Sequence, residues 1–192
     1  MGNNKIIAVT DGDETAAKAV EKAAAELDLS VIHESAGNPT SISGEKIVGK
    51  IKEVADDTVL VMFDDQGEIG TGLGEEAFLT VLDDPEIEII GVLAVASNLK
   101  EVQGIRPDFS ITQNAELINE PVDKTGKAEE AEHQILEGDT LDVLNRLSDT
   151  LIIGVGDLGK MEEKDLVQDG APITTQAISE ILQRSEGASG NQ

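Results

Sequence analysis

Apolar positions along the first half of the chain follow two alternating rhythms. Short runs rich in β-branched residues, Lys5 to Thr10, Ser30 to Glu34, Thr58 to Phe63 and Glu86 to Ser97, read as strands. Between them apolar residues return every three or four positions: Ala16, Val20, Ala24 and Leu27 in a helix from Asp13 to Leu27, then Ile47, Ile51 and Val54 in a helix that Ser43 can cap. A glycine-rich loop, Gly67 to Gly74, leads into a short helix ending near Leu82. This alternation predicts βαβ units around a mostly parallel sheet. The Glu86–Ser97 run becomes apolar on both faces, which predicts a central strand.

The second half breaks the rhythm. Asp108 to Thr112 and Glu116 to Ile118, joined by Gln113-Asn114-Ala115, predict a β-hairpin. Lys127 to Glu137 and Thr140 to Leu147 read as helical segments, the second capped by Asp139 after Gly138. Thr150 to Val155 is the last strand, and a final helix from Ile173 to Arg184 is entered through Pro172. The predicted fold class is α/β: a three-layer, doubly wound, mostly parallel sheet with a small β-hairpin insertion. One domain spans 1–185, and 186–192 is a small polar tail expected to be disordered.

Charge changes the picture more than size does. The 192 residues carry 39 acidic and 14 basic side chains, a formal net charge of −25. Nucleic-acid affinity rests on Lys and Arg neutralising phosphates, so no nucleic-acid partner is expected, and an anionic membrane surface is disfavoured for the same reason. High acidity also fits a saline cytoplasm, where self-repulsion is screened. There is no cysteine, and His33 and His133 are the only histidines, so thiolate chemistry and Cys/His zinc sites are excluded. With three phenylalanines and no Trp or Tyr, aromatic stacking platforms are nearly absent. The longest apolar run, Ile89 to Ala96, is far short of the roughly 20 residues that span a bilayer, so no direct membrane insertion is expected. Met1 to Lys5 leads straight into the first strand, and no export signal is read there.

In open parallel sheets ligands bind beyond the carboxyl ends of the strands, and here those positions are acidic. Thr10-Asp11-Gly12-Asp13-Glu14 follows the first strand, Asp64-Asp65 the third and Gly156-Asp157 the last. If the first and third strands are neighbours, as in a 2-1-3-4-5 order, Asp11, Asp13, Asp64 and Asp65 converge on one crevice. An all-oxygen cluster of that kind suits Mg²⁺ or Ca²⁺, with Lys160 reaching across to offset the charge. The other reading gives Asp11 and Glu14 a helix-capping role and makes Asp64-Asp65 a turn.

Gly154-Val155-Gly156-Asp157-Leu158-Gly159-Lys160 resembles phosphate-binding loops in its spacing, but Met161 stands where Ser or Thr would bind Mg²⁺, and Asp157 is negative. A small anion held with Lys160 as point charge, or a plain tight turn, both remain open. Asn38 and Thr40, in the turn after the second strand, could also face a ligand. No G-x-S-x-G elbow and no plausible nucleophile–base pair occurs, which points away from acyl-enzyme chemistry and toward a non-catalytic protein.

The set Thr10-Asp11-Gly12-Asp13-Glu14, Gly37-Asn38-Pro39-Thr40, Met62-Phe63-Asp64-Asp65, Val95-Ala96-Ser97, Gly138-Asp139-Thr140, Gly154 to Met161 and Pro172-Ile173-Thr174 resembles the soluble stage V sporulation protein AE family of endospore-forming bacteria, from about residue 4 to 185. The resemblance implies a soluble accessory of the system that moves dipicolinic acid, with calcium, into the developing spore and out at germination. It would sit in the forespore or spore, peripheral to the inner membrane, with the other dipicolinate-transport proteins as partners. A second likeness is to receiver-type phosphoryl switches, with acids after strands one and three, Ser97 after strand four and Lys160 after the last. That likeness implies Mg²⁺-dependent phosphoryl transfer with Asp64 as acceptor or cation ligand.

Overall fold

The computed structural model describes residues 4–66, 72–98, 104–130, 132–138 and 140–189. Seven strands, β1 (Asn4–Val9), β2 (Ser30–Val31), β3 (Thr58–Met62), β4 (Ile87–Val95), β5 (Phe109–Ile111), β6 (Leu117–Ile118) and β7 (Leu151–Val155), form one sheet in the order β2-β3-β1-β4-β7-β5-β6. All neighbours are parallel except β5 and β6, the expected hairpin. Four α-helices cover it: α1 (Glu14–Leu27), α2 (Gly44–Glu53), α3 (Leu73–Leu82) and α4 (Pro172–Ser189). The three-layer, mostly parallel architecture is the one the patterning predicts.

Strand periodicity assigns the layers. In β1, Ile6 and Ala8 belong to the core under α2 and α3, while Ile7 and Val9 face α1 and α4. Helix α1 buries a face of small residues, Ala16, Ala19, Ala23 and Ala24, which lets it lie close to the sheet and to α4. Gly91 does the same for α4, since a Cβ there would stand 2.3 Å from Ile181 Cγ2. Phe63 and Phe78 meet edge to face at 5.2 Å on the α3 side.

Several expectations are corrected. The strand order is not 2-1-3-4-5, because β3 lies between β2 and β1; β1 and β3 are nevertheless neighbours. The second strand stops at Val31. Beyond it Ser35 Oγ donates to the Ile32 carbonyl and accepts the Met62 amide (2.9 Å), so a side chain replaces the ladder and a 3₁₀ turn forms over His33–Ser35. Lys127–Glu137 is not helical. Among its described residues only Leu136 is a buried anchor, and Leu136 is used in a bridge to Ile105. Thr140–Leu147 carries only a 3₁₀ turn, Asp142–Arg146. Asp139, the expected cap there, lies outside the described residues, as do 67–71 of the glycine loop. Helix α4 continues to Ser189, into the segment expected to be a disordered tail, whose last residues, 190–192, lie outside the described ones.

The chain leaves β1 toward the β2 edge and leaves β4 toward the β5 side, so a crevice opens between their carboxyl ends. One rim of that crevice is fixed by the α4 N-terminus. The fully buried Asp165 accepts hydrogen bonds from the amides of Gly159 (2.8 Å), Ile173 (2.8 Å) and Thr174 (3.0 Å) and from Thr174 Oγ1. Asp165→Ala would strand four buried donors, and urea unfolding is expected to show a loss of about 3 kcal/mol or more; a loss under about 1 kcal/mol would show that the cap contributes little.

Candidate functional site

A cavity of about 380 Å³ occupies the crevice, lined among others by Thr10, Asp11, Asp13, Asp64, Asp157 and Lys160. Local sequence explains its rim. Gly12 must lack a side chain, because a Cβ would stand 2.6 Å from the Gly37 carbonyl. That close approach stacks the loops after β1 and β2, and Gly37 N donates to Gly12 O at 2.8 Å. Thr10 Oγ1 accepts the Val95 amide at 3.0 Å, which ties the end of β1 to the end of β4.

Three carboxylates meet here: Asp11, Asp13 and Asp157 each offer an oxygen, and these atoms lie within 4.8 Å of one another. Asp13 does two tasks. Its Oδ1 caps α1 through the amides of Thr15 and Ala16, both at 2.8 Å, and its Oδ2 receives the Lys160 ammonium at 2.8 Å. The α1 cap is therefore Asp13, not the Asp11–Glu14 pair. Lys160 also reaches Asp157 Oδ1 at 3.2 Å, so one ammonium bridges two acids. These groups are part-exposed, and each such pair contributes under about 1 kcal/mol.

The ionisation pattern follows from this packing. Burial pushes the Asp11 carboxyl up to about 7, helped by the charges of Asp13, Asp64 and Asp157 and opposed by the hydrogen bond from the Asp13 amide. Burial acts on Asp13 in the same sense, but the Lys160 ammonium and the α1 amides outweigh it and hold the carboxyl below its ordinary value. Burial would lower Lys160; its hydrogen bond to Asp13 and the Asp157 carboxylate override this and raise it. Asp64 is raised by burial, although the amides of Gln66 and Gly12 oppose the shift.

The other expected site residues divide. Asn38 lines the cavity; Thr40 does not, being buried with its Oγ1 accepting the Asp64 amide at 3.0 Å. Asp65 points elsewhere. Its carboxylate receives the amides of Gly74 (2.5 Å) and Glu75 and the Thr140 hydroxyl (3.0 Å), so it fastens the start of α3. Gly154 is packed under Ser110, and Gly156 under the 124–126 loop, where a Cβ would meet the Gly126 nitrogen at 2.6 Å. Gly159 has φ +72° and lies against Thr15. No α-helix opens directly after this loop, and the N-terminus of α4 is already filled by Asp165, so the geometry of a phosphate loop is not formed.

Sequence reasoning missed Gln66, Asn98 and Lys124, which also line the cavity. Lys124 arrives on a turn whose Asp123-Lys124-Thr125-Gly126 chemistry was legible, with Asp123 Oδ1 accepting from Thr125 N and Lys127 N. Its docking on β7, through the Asp157 amide to the Lys124 carbonyl at 2.8 Å, was not. Ser97 also lines the cavity, and its hydroxyl oxygen is buried without a partner among the described residues.

Fold and site define an open α/β protein with a carboxylate-rich crevice at the switch point of its sheet. The chain belongs to the stage V sporulation protein AE1 family, whose model matches residues 5–185. No curated protein matches the chain, and no solved structure does. No helix among the described residues is long and apolar enough to cross a membrane.

Folded Asp11 titrates near 7 and the unfolded residue near 4, so the folded state binds the extra proton between these values and stability falls as pH rises through that window. Asp11→Asn keeps the acceptor for the Asp13 amide but cannot ionise. Thermal melts should show the variant more stable than the parent at pH 8 and level with it at pH 4; an equal shift at both would remove the ionisation account.

Proposed function

We propose that this sporulation-family protein is a soluble, non-catalytic accessory of the spore's dipicolinic acid and calcium transport and germination system, and that the crevice is where it holds its cation or cation-bound ligand. The observation that supports this reading is the meeting of the Asp11, Asp13 and Asp157 oxygens, within 4.8 Å of one another, inside a cavity open to solvent. Hard oxygen donors suit Ca²⁺, which takes carboxylate, amide and hydroxyl oxygens at about 2.3–2.6 Å. Asn38, Asn98 and Ser97 supply neutral oxygens on the same walls. Its partners would be the membrane components of the same system.

Phosphoryl transfer fits the geometry less well. Asp64 would have to present a free oxygen, yet Oδ2 accepts the Gly12 amide (3.0 Å) and Oδ1 the Gln66 amide (2.8 Å). Lys160 meets Asp13 and Asp157 instead of Asp64. The engagement of Asp13, Asp64, Asp157 and Lys160 with one another and with backbone amides supports a holding role.

Calorimetric titration is expected to show one stoichiometric Ca²⁺ site, weakened about tenfold or more by Asp157→Asn, where a charged ligand is lost. No heat at millimolar Ca²⁺ would overturn the cation reading. Spores lacking the gene should hold less dipicolinic acid or germinate more slowly; unchanged content and unchanged germination would overturn the accessory role.

A further inference from the structure

Directly after Lys160 the backbone passes through three successive non-glycine residues with positive φ: Met161 at 43°, Glu162 at 52° and Glu163 at 68°. L residues visit this region singly, and three in a row form a strained left-handed turn. Such a turn persists only where its surroundings over-determine it. Upstream, the Gly159 amide is held by Asp165 Oδ2 at 2.8 Å, and the Lys160 side chain is tied to Asp13 and Asp157. Downstream, Asp165 is locked under α4. Between them Met161 is buried, and its Sδ lies 3.0 Å from where a Gly126 Cβ would stand. Glu162 and Glu163 are exposed. The Asp165 clamp, which grips both ends of the turn, is buried, whereas the Lys160 ion pairs are half-exposed and open to competition.

We propose that Lys160 is a latch on this turn: its ammonium adds to the Asp165 clamp in holding residues 161–163 left-handed, and a cation that takes the Asp13 and Asp157 carboxylates loosens them. The trigger rests on the cation reading of the cavity; the latch does not. Release would reach the outer surface, because the turn is joined to the 123–127 loop by the Lys127–Glu162 ion pair (2.7 Å) as well as by Met161 against Gly126. Occupancy of the crevice would thereby alter a face that a partner protein can read. A turn without strain would keep its shape when the lysine left.

Hydrogen exchange on the full chain tests this. The reporters are the amides of Lys164 and Asp165, which donate to the carbonyls of Met161 (3.1 Å) and Lys160 (3.4 Å). Lys160→Met should speed their exchange about tenfold or more, and Asp157→Asn, which keeps the lysine but loosens it, should act in the same direction. Glu163→Gly, which relieves strain at an exposed position, should raise Tm by about 2–4 °C and blunt the effect of Lys160→Met. Calcium should speed the same amides in the parent protein, beyond NaCl of equal ionic strength, and add nothing in Lys160→Met. Unchanged exchange in both Lys160→Met and Asp157→Asn would overturn the latch and leave the cavity reading intact. Calcium that binds by calorimetry without altering exchange would overturn the coupling alone. Absence of calcium binding would remove the trigger together with the cation reading, with the latch then decided by the two variants.

Discussion

Negative oxygens from three separate strand ends are brought together at one rim of the sheet, and most of the local architecture answers that repulsion. Two unit charges 4 Å apart repel by about 4 kcal/mol at an effective dielectric of 20. Each acid therefore has its own compensation. Asp64 receives two backbone amides, Asp13 receives the amides of α1 and an ammonium, and Asp157 shares that ammonium. Asp11 has one amide and is left to hold a proton into the neutral range. One lysine thus serves two carboxylates where a divalent ion would serve three.

The fold is what brings these groups into reach. Burial of Ile6 and Ala8 on one face of β1 and Ile7 and Val9 on the other fixes that strand between two helical layers. Its neighbours β3 and β4, and β7 beyond β4, then end at one rim. Small residues set the tolerances. Gly12 lets the loop after β2 close over the one after β1, and Gly156 lets the Lys124 loop rest on the end of β7. Membership of the stage V sporulation protein AE1 family gives this crevice a cellular setting, while its chemistry comes from the residues themselves.

Much of this was legible in the sequence. Patterning and turn signals located the strands and all four α-helices, and the acids after the strands located Asp11, Asp13, Asp64 and Asp157. What escaped was set by tertiary contact. Asp65 stands beside Asp64 in the chain, but successive residues at a strand end point in opposite directions, and Asp65 is drawn to the start of α3 and to Thr140. Lys127–Glu137 had helix-favouring composition but no apolar stripe to bury, so the bridge between Leu136 and Ile105 decided its path. The left-handed turn after Lys160 carries no glycine to announce it.

A cation site in the crevice is tested most directly by a crystal structure of the protein soaked in millimolar Ca²⁺. An ion is expected between Asp11, Asp13 and Asp157 at oxygen distances of about 2.3–2.6 Å, with the Lys160 ammonium moved out of their midst. An empty crevice at that concentration, with Lys160 still bridging Asp13 and Asp157, would contradict it.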